Sequence, residues 1–297
     1  MANPTITTSY AGEFAGKYIA ASLFSAKTLD EGAITILPNI KYKAAMKVGA
    51  FSNLVRSADC DFDATTSGMT LTEKVLTPTE LQVNLQICKK ELHQDWEAAQ
   101  MGFSSFDELP PLFSDFVIAR VAAEVAQATE SSIWGGAAAE GNFDGLKTIL
   151  AADATVVDVA GTSVDASNVI AELNKIITAI PSGVYGSDDL VLYVSTPIAK
   201  AYIQAQAALG YRELYNVGQT EMNFQGIPMF VTSGLSTNSA VAARKSNLFF
   251  GTGLLDDRNE VKVIDMADLD GSQNVRFVMR YTAGVQVGVG ADVVLYA

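Results

Sequence analysis

The sequence predicts an α+β fold whose parts are interleaved along the chain. Three observations carry that expectation. Residues 111–133 form an amphipathic helical run about twice the usual helix length. Apolar and polar residues alternate strictly at 81–87 and again at 285–290. Between them, over 151–264, short helical and strand-like segments follow one another. No internal repeat or low-complexity linker divides the chain into beads.

Residues 1–40 read as an arm. An amphipathic helix is expected over 10–25, with Phe14, Tyr18, Ile19 and Phe24 on one face, followed by TLDEG and an extended piece containing Pro38. One short helix cannot enclose a core, so the arm must dock on something. Residues 41–87 read as a long two-stranded excursion, with strand-like pieces in 42–55 and 70–87. Its clearest alternation sets Leu81, Val83, Leu85 and Ile87 against Gln82, Asn84 and Gln86. The intervening SADCDFDATTSGM is polar, acidic and rich in turn formers. Isolated hairpins are marginal in water, so this one either packs on its own domain or reaches another subunit.

Residues 88–110 suggest a helix and then a loop closing at Pro110 and Pro111. In the long helix, Phe113, Val117, Val121, Val125 and Ala128 form an apolar stripe, and Arg120, Glu124, Gln127 and Ser131 a polar one. Pro111 suits a first helical position, and Gly135 and Gly136 stop the run. About 23 residues at about 1.5 Å each make a rod of roughly 35 Å. A glycine-spaced loop, AAAEGNFDGLKTIL, leads to a strand and turn at 151–166. A helix is expected over 165–180, with Ser167 as its N-cap and Val169, Leu173, Ile176, Ile177 and Ile180 inward. A turn, a buried strand LVLYVS and a helix from Pro197 to about Leu209 come next. A strand pair is expected at 227–232 and 248–250, then long strands at 260–264 and 275–296, where Val285, Val287 and Val289 alternate with Gln286, Gly288 and Gly290.

Hydrophobic residues make up 49% of the 297, and charged residues only 18%, below the usual quarter. That balance suits a protein that hides surface against copies of itself. Residues 1–56 carry six basic and three acidic side chains, and the remainder 14 basic and 30 acidic. A mildly basic arm on an acidic body suits an arm lying across a neighbour's acidic surface, with Lys17, Lys27, Lys41 and Lys43 as candidate contacts. The acidic body argues against sequence-specific nucleic-acid binding. Two cysteines, Cys60 and Cys88, and one histidine, His93, show no metal spacing and imply a reducing compartment. The N-terminus lacks the pattern of a signal peptide, and no apolar run is long enough to span a membrane.

Catalytic constellations are scarce. His93 has no partner at ligand spacing, and neither a G-x-S-x-G elbow nor a Walker-type loop is present. GVQVGVGAD has no following helix, so it reads as strand and not as a nucleotide loop. DCDFD at 59–63 alternates carboxylates but lacks the glycine and distal glutamate of a calcium loop, and DDRNE at 256–260 reads as a solvated loop. Asp59, Asp61 and Asp63 are better expected to meet a basic patch on a neighbouring subunit. Trp96 and Trp134 are expected to anchor core or interface. No catalytic, cofactor or metal residue is therefore assigned, and no cofactor is expected.

The order of parts resembles the Hong Kong 97-type major capsid proteins of tailed bacteriophages. WGGAAAEGNFDGLKTIL after the long helix resembles that family's spine helix and following loop. VIAELNKIITAIP and DDLVLYVSTPIAKAYIQ resemble its axial helix–strand–helix. FQGIPMFVTSGL, NLFFGTG and VRFVMRYTAGVQVGVGADVVLYA resemble its later strands. The resemblance implies an N-arm at 1–40 and an extended β-hairpin loop at 41–87. It implies a peripheral domain of 88–150 and about 265–285 containing spine helix 111–133, and an axial domain of 151–264 and about 286–297. It implies a non-enzymatic subunit that self-assembles through hexamers and pentamers into an icosahedral phage head around double-stranded DNA. Implied partners are a separate scaffolding protein, a portal and any cement proteins, with assembly in the host bacterial cytoplasm and no membrane. Some members cross-link through a lysine in the extended loop; residues 56–72 contain none and Lys74 is the one candidate, so no cross-link is expected. An encapsulin-type compartment shell is the alternative on the same fold, and a soluble α/β enzyme the alternative outside it.

Overall fold

A computed structural model describes residues 27–40, 42–51, 55, 57–58, 60, 69–89, 111–139, 141–208, 222–253 and 262–297. The helix expected over 10–25, the segment 90–110 with His93 and Trp96, and DDRNE at 256–260 lie outside them.

A six-stranded sheet is ordered β5-β13-β9-β6-β8-β7, from β5 (Val157–Val159), β6 (Leu190–Ser195), β7 (Asn223–Phe224), β8 (Ile227–Thr232), β9 (Ala240–Arg244) and β13 (Val294–Tyr296). Period-two alternation divides its side chains between two cores. Leu190, Leu192 and Val194 of β6, with Ala240, Ala242, Val294 and Tyr296, meet helices α4 (Val169–Ala179) and α5 (Thr196–Ala208). Val191, Tyr193, Val241, Ala243 and Leu295 face the other way, towards Trp134, Leu146 and Leu150. Coverage on both faces explains why all six residues of LVLYVS are buried. The tight turn joining β7 to β8 places Gln225 at φ 49° and Gly226 at φ 83°, the left-handed pair that suits a two-residue hairpin.

The second sheet is built on the 14-residue strand β12 (Asn274–Val287). β4 (Thr79–Cys88) runs antiparallel to it from Asn274↔Cys88 to Ala283↔Thr79. β11 (Lys262–Asp265) pairs near its start, and β10 (Leu248–Gly251) near its end. β1 (Thr35–Leu37) adds in parallel to β10. The long helix, α2 (Pro111–Gly135), lies over one face of this sheet. Val117, Val121 and Val125 pack on Ile87, Val275, Phe277 and Met279, each full burial contributing about 1.5–3 kcal/mol. β2 (Ala44–Phe51) and β3 (Met69–Leu76) form a separate two-stranded ribbon.

Several expectations need correction. The alternating run at 81–87 is not the return strand of the hairpin: Pro78 interrupts the chain between β3 and β4, and β4 pairs with the C-terminal strand β12. Strands 227–232 and 248–250 belong to different sheets, and AVAAR, unassigned from sequence, supplies the strand beside β6. In α2 Ala128 is exposed, whereas Glu130 is buried, because the helix passes from one packing surface to another near its end. Asp165, not Ser167, organises the start of α4: its carboxylate accepts bonds from Ser167 N (2.7 Å), Ser167 Oγ (2.6 Å) and Asn168 N (3.1 Å). The closing strand stops at Val287, and a 3-10 turn intervenes before β13.

Helix α2 ends where expected, for a visible reason. A Cβ at Gly136 would lie 2.2 Å from Phe143 O and 2.6 Å from Ser132 O. The FDGL loop thus closes against bare backbone, with Gly145 N donating to Gly136 O at 2.9 Å, and helix α3 (Leu146–Ala152) follows at once.

Candidate assembly surface

The β2–β3 ribbon has almost no core. Among its residues with described burial only Leu76 is buried. One face carries Ala45, Lys47, Gly49, Leu71, Glu73 and Val75, all exposed, with Leu71 at 60%. Apolar side chains on a free ribbon mark a surface that waits for a partner.

Among the described residues, the ribbon is held at its base. Leu76 is fully buried against Ile40 and Gly251, where a Cβ on the glycine would sit 2.4 Å from Leu76 Cδ2. Gln286 Nε2 donates to Val75 O at 2.9 Å. Lys74 Nζ donates to Asp153 Oδ2 at 2.8 Å, and Asp153 also accepts from Thr155 N and Oγ1. The Lys74 bond, joined by the Thr155 bonds, holds the Asp153 carboxyl down at about 2. Lys74, the lysine considered for cross-linking, is thus engaged within its own chain.

A buried polar hub joins the arm's end to the body. Glu130 is 1% exposed and its carboxylate accepts from Thr28 N (3.1 Å), Thr28 Oγ1 (2.6 Å) and Thr232 Oγ1 (2.6 Å). Trp134 Nε1 donates to Thr28 Oγ1 at 2.8 Å. Helix α1 (Lys27–Asp30), helix α2 and strand β8 are thereby tied at one point. The Tyr193 hydroxyl donates to Ala33 O and makes a second tie. At the other end of the long sheet, buried Lys89 pairs with Asp265. Burial raises that carboxyl, but the bonds from Lys89 and Ala267 N hold it below its ordinary range.

Of the contact residues expected from sequence, Asp59, Asp61, Asp63, Lys17 and Lys41 lie outside the described residues. Lys27 turns onto its own chain, 3.7 Å from Glu31 and 5.2 Å from the Phe230 ring centroid. Lys43 lies 5.3 Å from the centroid of exposed Tyr42. The structure does not gather these two lysines into one patch. Trp134 is a core anchor at 0% exposure. Sequence reasoning missed Glu130, because a glutamate late in a helix reads as surface until the fold places Thr28 and Thr232 beside it. It also missed the open face of the long sheet. Arg276, Arg280 and Lys262 are exposed there, beside Gln82, Asn84 and Gln86, and opposite the face under α2. Strand alternation of β12 was the available signal: its even-numbered positions carry the arginines.

Among the described residues no group of three potential metal-ligating side chains converges. No described helix is long and apolar enough to cross a membrane.

No family model and no curated protein matches the sequence. Solved structures do match, over nearly the full length. The chain is similar to the capsid of the native GTA particle, with 15% identity, 98% of this chain and 95% of that chain covered, and a TM-score of 0.68. It is similar to the capsid of Myoviridae phage XM1, with 13% identity, 96% of each chain covered and a TM-score of 0.61. A structure of Gordonia phage Cozz matches at 12% identity, 100% and 98% coverage and a TM-score of 0.59. The chain therefore has the α+β capsid fold of Hong Kong 97 type that the order of its parts implies.

Proposed function

We propose that the chain is a non-enzymatic major capsid protein that self-assembles into an icosahedral bacteriophage head around double-stranded DNA. The observation that carries this reading is the β2–β3 ribbon, which stands on a fixed base, buries almost nothing of its own and exposes Leu71 and Val75. A lone folded chain gains nothing from such a ribbon; a shell gains an overlap between neighbours. The whole-length likeness to phage capsid subunits supports it.

On this reading residues 1–40 are the N-arm and 41–87 the extended loop, now divided by Pro78 into a projecting ribbon and a strand of the long sheet. The peripheral domain holds α2 and the long sheet, and the axial domain the six-stranded sheet. Lys17, Lys27, Lys41 and Lys43, with Asp59, Asp61 and Asp63, are intersubunit contacts. Subunits form hexamers and pentamers, with a separate scaffolding protein, a portal and any cement proteins as partners, in the host bacterial cytoplasm. The net charge of −13 suits a wall that confines DNA without gripping it, since attraction to phosphate needs basic residues. Modest interfaces with several neighbours sum to a stable shell.

The test is to express the chain alone and with a scaffolding partner, and to examine the product by sedimentation and electron microscopy. Closed shells are expected. Discrete monomers under every condition would overturn the reading, and shells filled with a docked enzyme instead of DNA would redirect it to a protein compartment.

A further inference from the structure

We propose that Lys147, Ser236 and Ser239 form a binding site for a small oxyanion of phosphate type. The site lies where helix α3 meets the turn between β8 and β9, and it stands independently of the shell reading.

Two local structures bring the three side chains together. Ser236 and Ser239 are the ends of a tight turn, closed by Ser239 N donating to Ser236 O at 3.2 Å. Asn238 takes the left-handed position in that turn, at φ 58°, which asparagine tolerates better than most side chains. Its Oδ1 accepts from Val164 N at 3.3 Å and ties the turn to a second segment. Lys147 comes from the other side, on a helix anchored by buried Leu146 and Leu150 and by Thr148 Oγ1, which donates to Gly136 O at 2.6 Å. The Lys147 ammonium donates to Ser236 Oγ at 2.7 Å and to Ser239 Oγ at 2.9 Å, and the two hydroxyls lie 2.8 Å apart.

This triangle holds more protons than acceptors. An ammonium has three N–H donors and each serine hydroxyl has one. Two N–H groups go to the serine oxygens, and one hydroxyl proton closes the bond between them. One N–H and one hydroxyl proton remain, and among the described residues no carboxylate or carbonyl accepts either. Ser195 adds a third unspent donor beside them. Its N donates to Ser239 O at 3.2 Å, so the two serines are neighbours on adjacent strands, and strand alternation puts both on the face of Tyr193 and Val241. The Ser195 hydroxyl is fully buried and has no partner among the described residues.

Charge points to the same ligand. Lys74, Lys89 and Lys175 each bond a carboxylate, of Asp153, Asp265 and Glu172 respectively. Lys147 is held by neutral oxygens instead, and among the described residues no carboxylate pairs with it. Surplus donors around an uncompensated cation suit a ligand that only accepts, and phosphate brings charge and several acceptor oxygens in one compact group. Ser236 is exposed and Lys147 half-buried, which opens the site to solvent, while Ser239, at 1% exposure, forms its floor.

Calorimetric titration of the full chain with inorganic phosphate at neutral pH and constant ionic strength tests this. Wild type should show saturable binding, and phosphate should raise its melting temperature above that in chloride. Lys147→Met should lower the affinity by about tenfold or more, and Lys147→Arg, which keeps the charge, should bind more tightly than Lys147→Met. Ser236→Ala should weaken binding by about two- to tenfold; Ser236 is exposed, so this variant keeps the test open if Lys147→Met does not fold. Lys175→Met, which removes a cation elsewhere, should bind like wild type. The site is overturned if wild type shows no saturable binding, if Lys147→Met and Ser236→Ala bind as tightly as wild type, or if Lys175→Met loses as much as Lys147→Met. Acetate binding as tightly as phosphate would overturn the phosphate assignment.

Discussion

Glu130 shows how one residue decides a junction. Its carboxylate is buried and takes three hydrogen bonds from Thr28 and Thr232, so removing it strands donors that have no water to turn to. Glu130→Ala should destabilise the chain by about 2–4 kcal/mol, read as a lower denaturant midpoint. Thr28→Val should cost less, about 1–3 kcal/mol, by removing one donor and leaving Trp134 Nε1 without its acceptor. Asp153 makes a pH-dependent case. Its carboxyl titrates at about 2 when folded, against 3.8 ordinarily. The folded value is the lower one, so its contribution is complete above pH 3.8 and is lost as pH falls towards 2. Lys74 is 37% exposed, and with solvent screening the contribution is about 1 kcal/mol. Lys74→Met should remove most of that difference: wild type and variant should differ in urea unfolding at pH 5 and converge near pH 2. A constant difference across that range would contradict the assignment.

At the scale of elements, the hairpin separates stability from assembly. Leu76→Ala empties a fully buried anchor and should cost about 2–5 kcal/mol, with faster amide exchange throughout β2 and β3. Leu71→Ser changes an exposed position on the same strand and should alter monomer stability by less than about 0.5 kcal/mol. If the ribbon is an intersubunit overlap, that silent change should still lower shell yield in sedimentation; equal yields would count against the overlap. The long helix and the strands were legible because their signals are local. Val117, Val121 and Val125 repeat at helical spacing, and Leu81 to Ile87 alternate within one strand. Pairing was not legible. β4 finds its partner some 190 positions away, as in Arg276↔Gln86, and no local pattern distinguishes that partner from β3. The same limit hid the missing strand: AVAAR reads as a weak segment, and its role comes from burial between β6 and β13.

For the whole molecule, the two sheets differ in a way that sets where assembly can act. Both faces of the six-stranded sheet are covered by the chain's own helices and loops, which is why Leu192, Tyr193 and Val194 are all fully buried. Among the described residues, the long sheet is covered by α2 on one side only, and the ribbon is covered on neither. The open face of the long sheet was not legible in the sequence for the same reason: an exposed arginine in one chain looks alike whether water or a neighbour will meet it, and only the fold shows Arg276 and Arg280 together on that face. Assembly should therefore change protection unevenly. Hydrogen exchange measured on monomers and on shells should show amides of β2 and β3 slowing on assembly, because a strand that gains a covering neighbour opens less often. Amides of β6 and β9 should exchange equally slowly in both states, since their bonds are already central and buried. Equal slowing in every element would point to general tightening of the subunit. Slowing confined to β6 and β9 would place the contacts on the wrong part of the molecule, and the ribbon would lose its role.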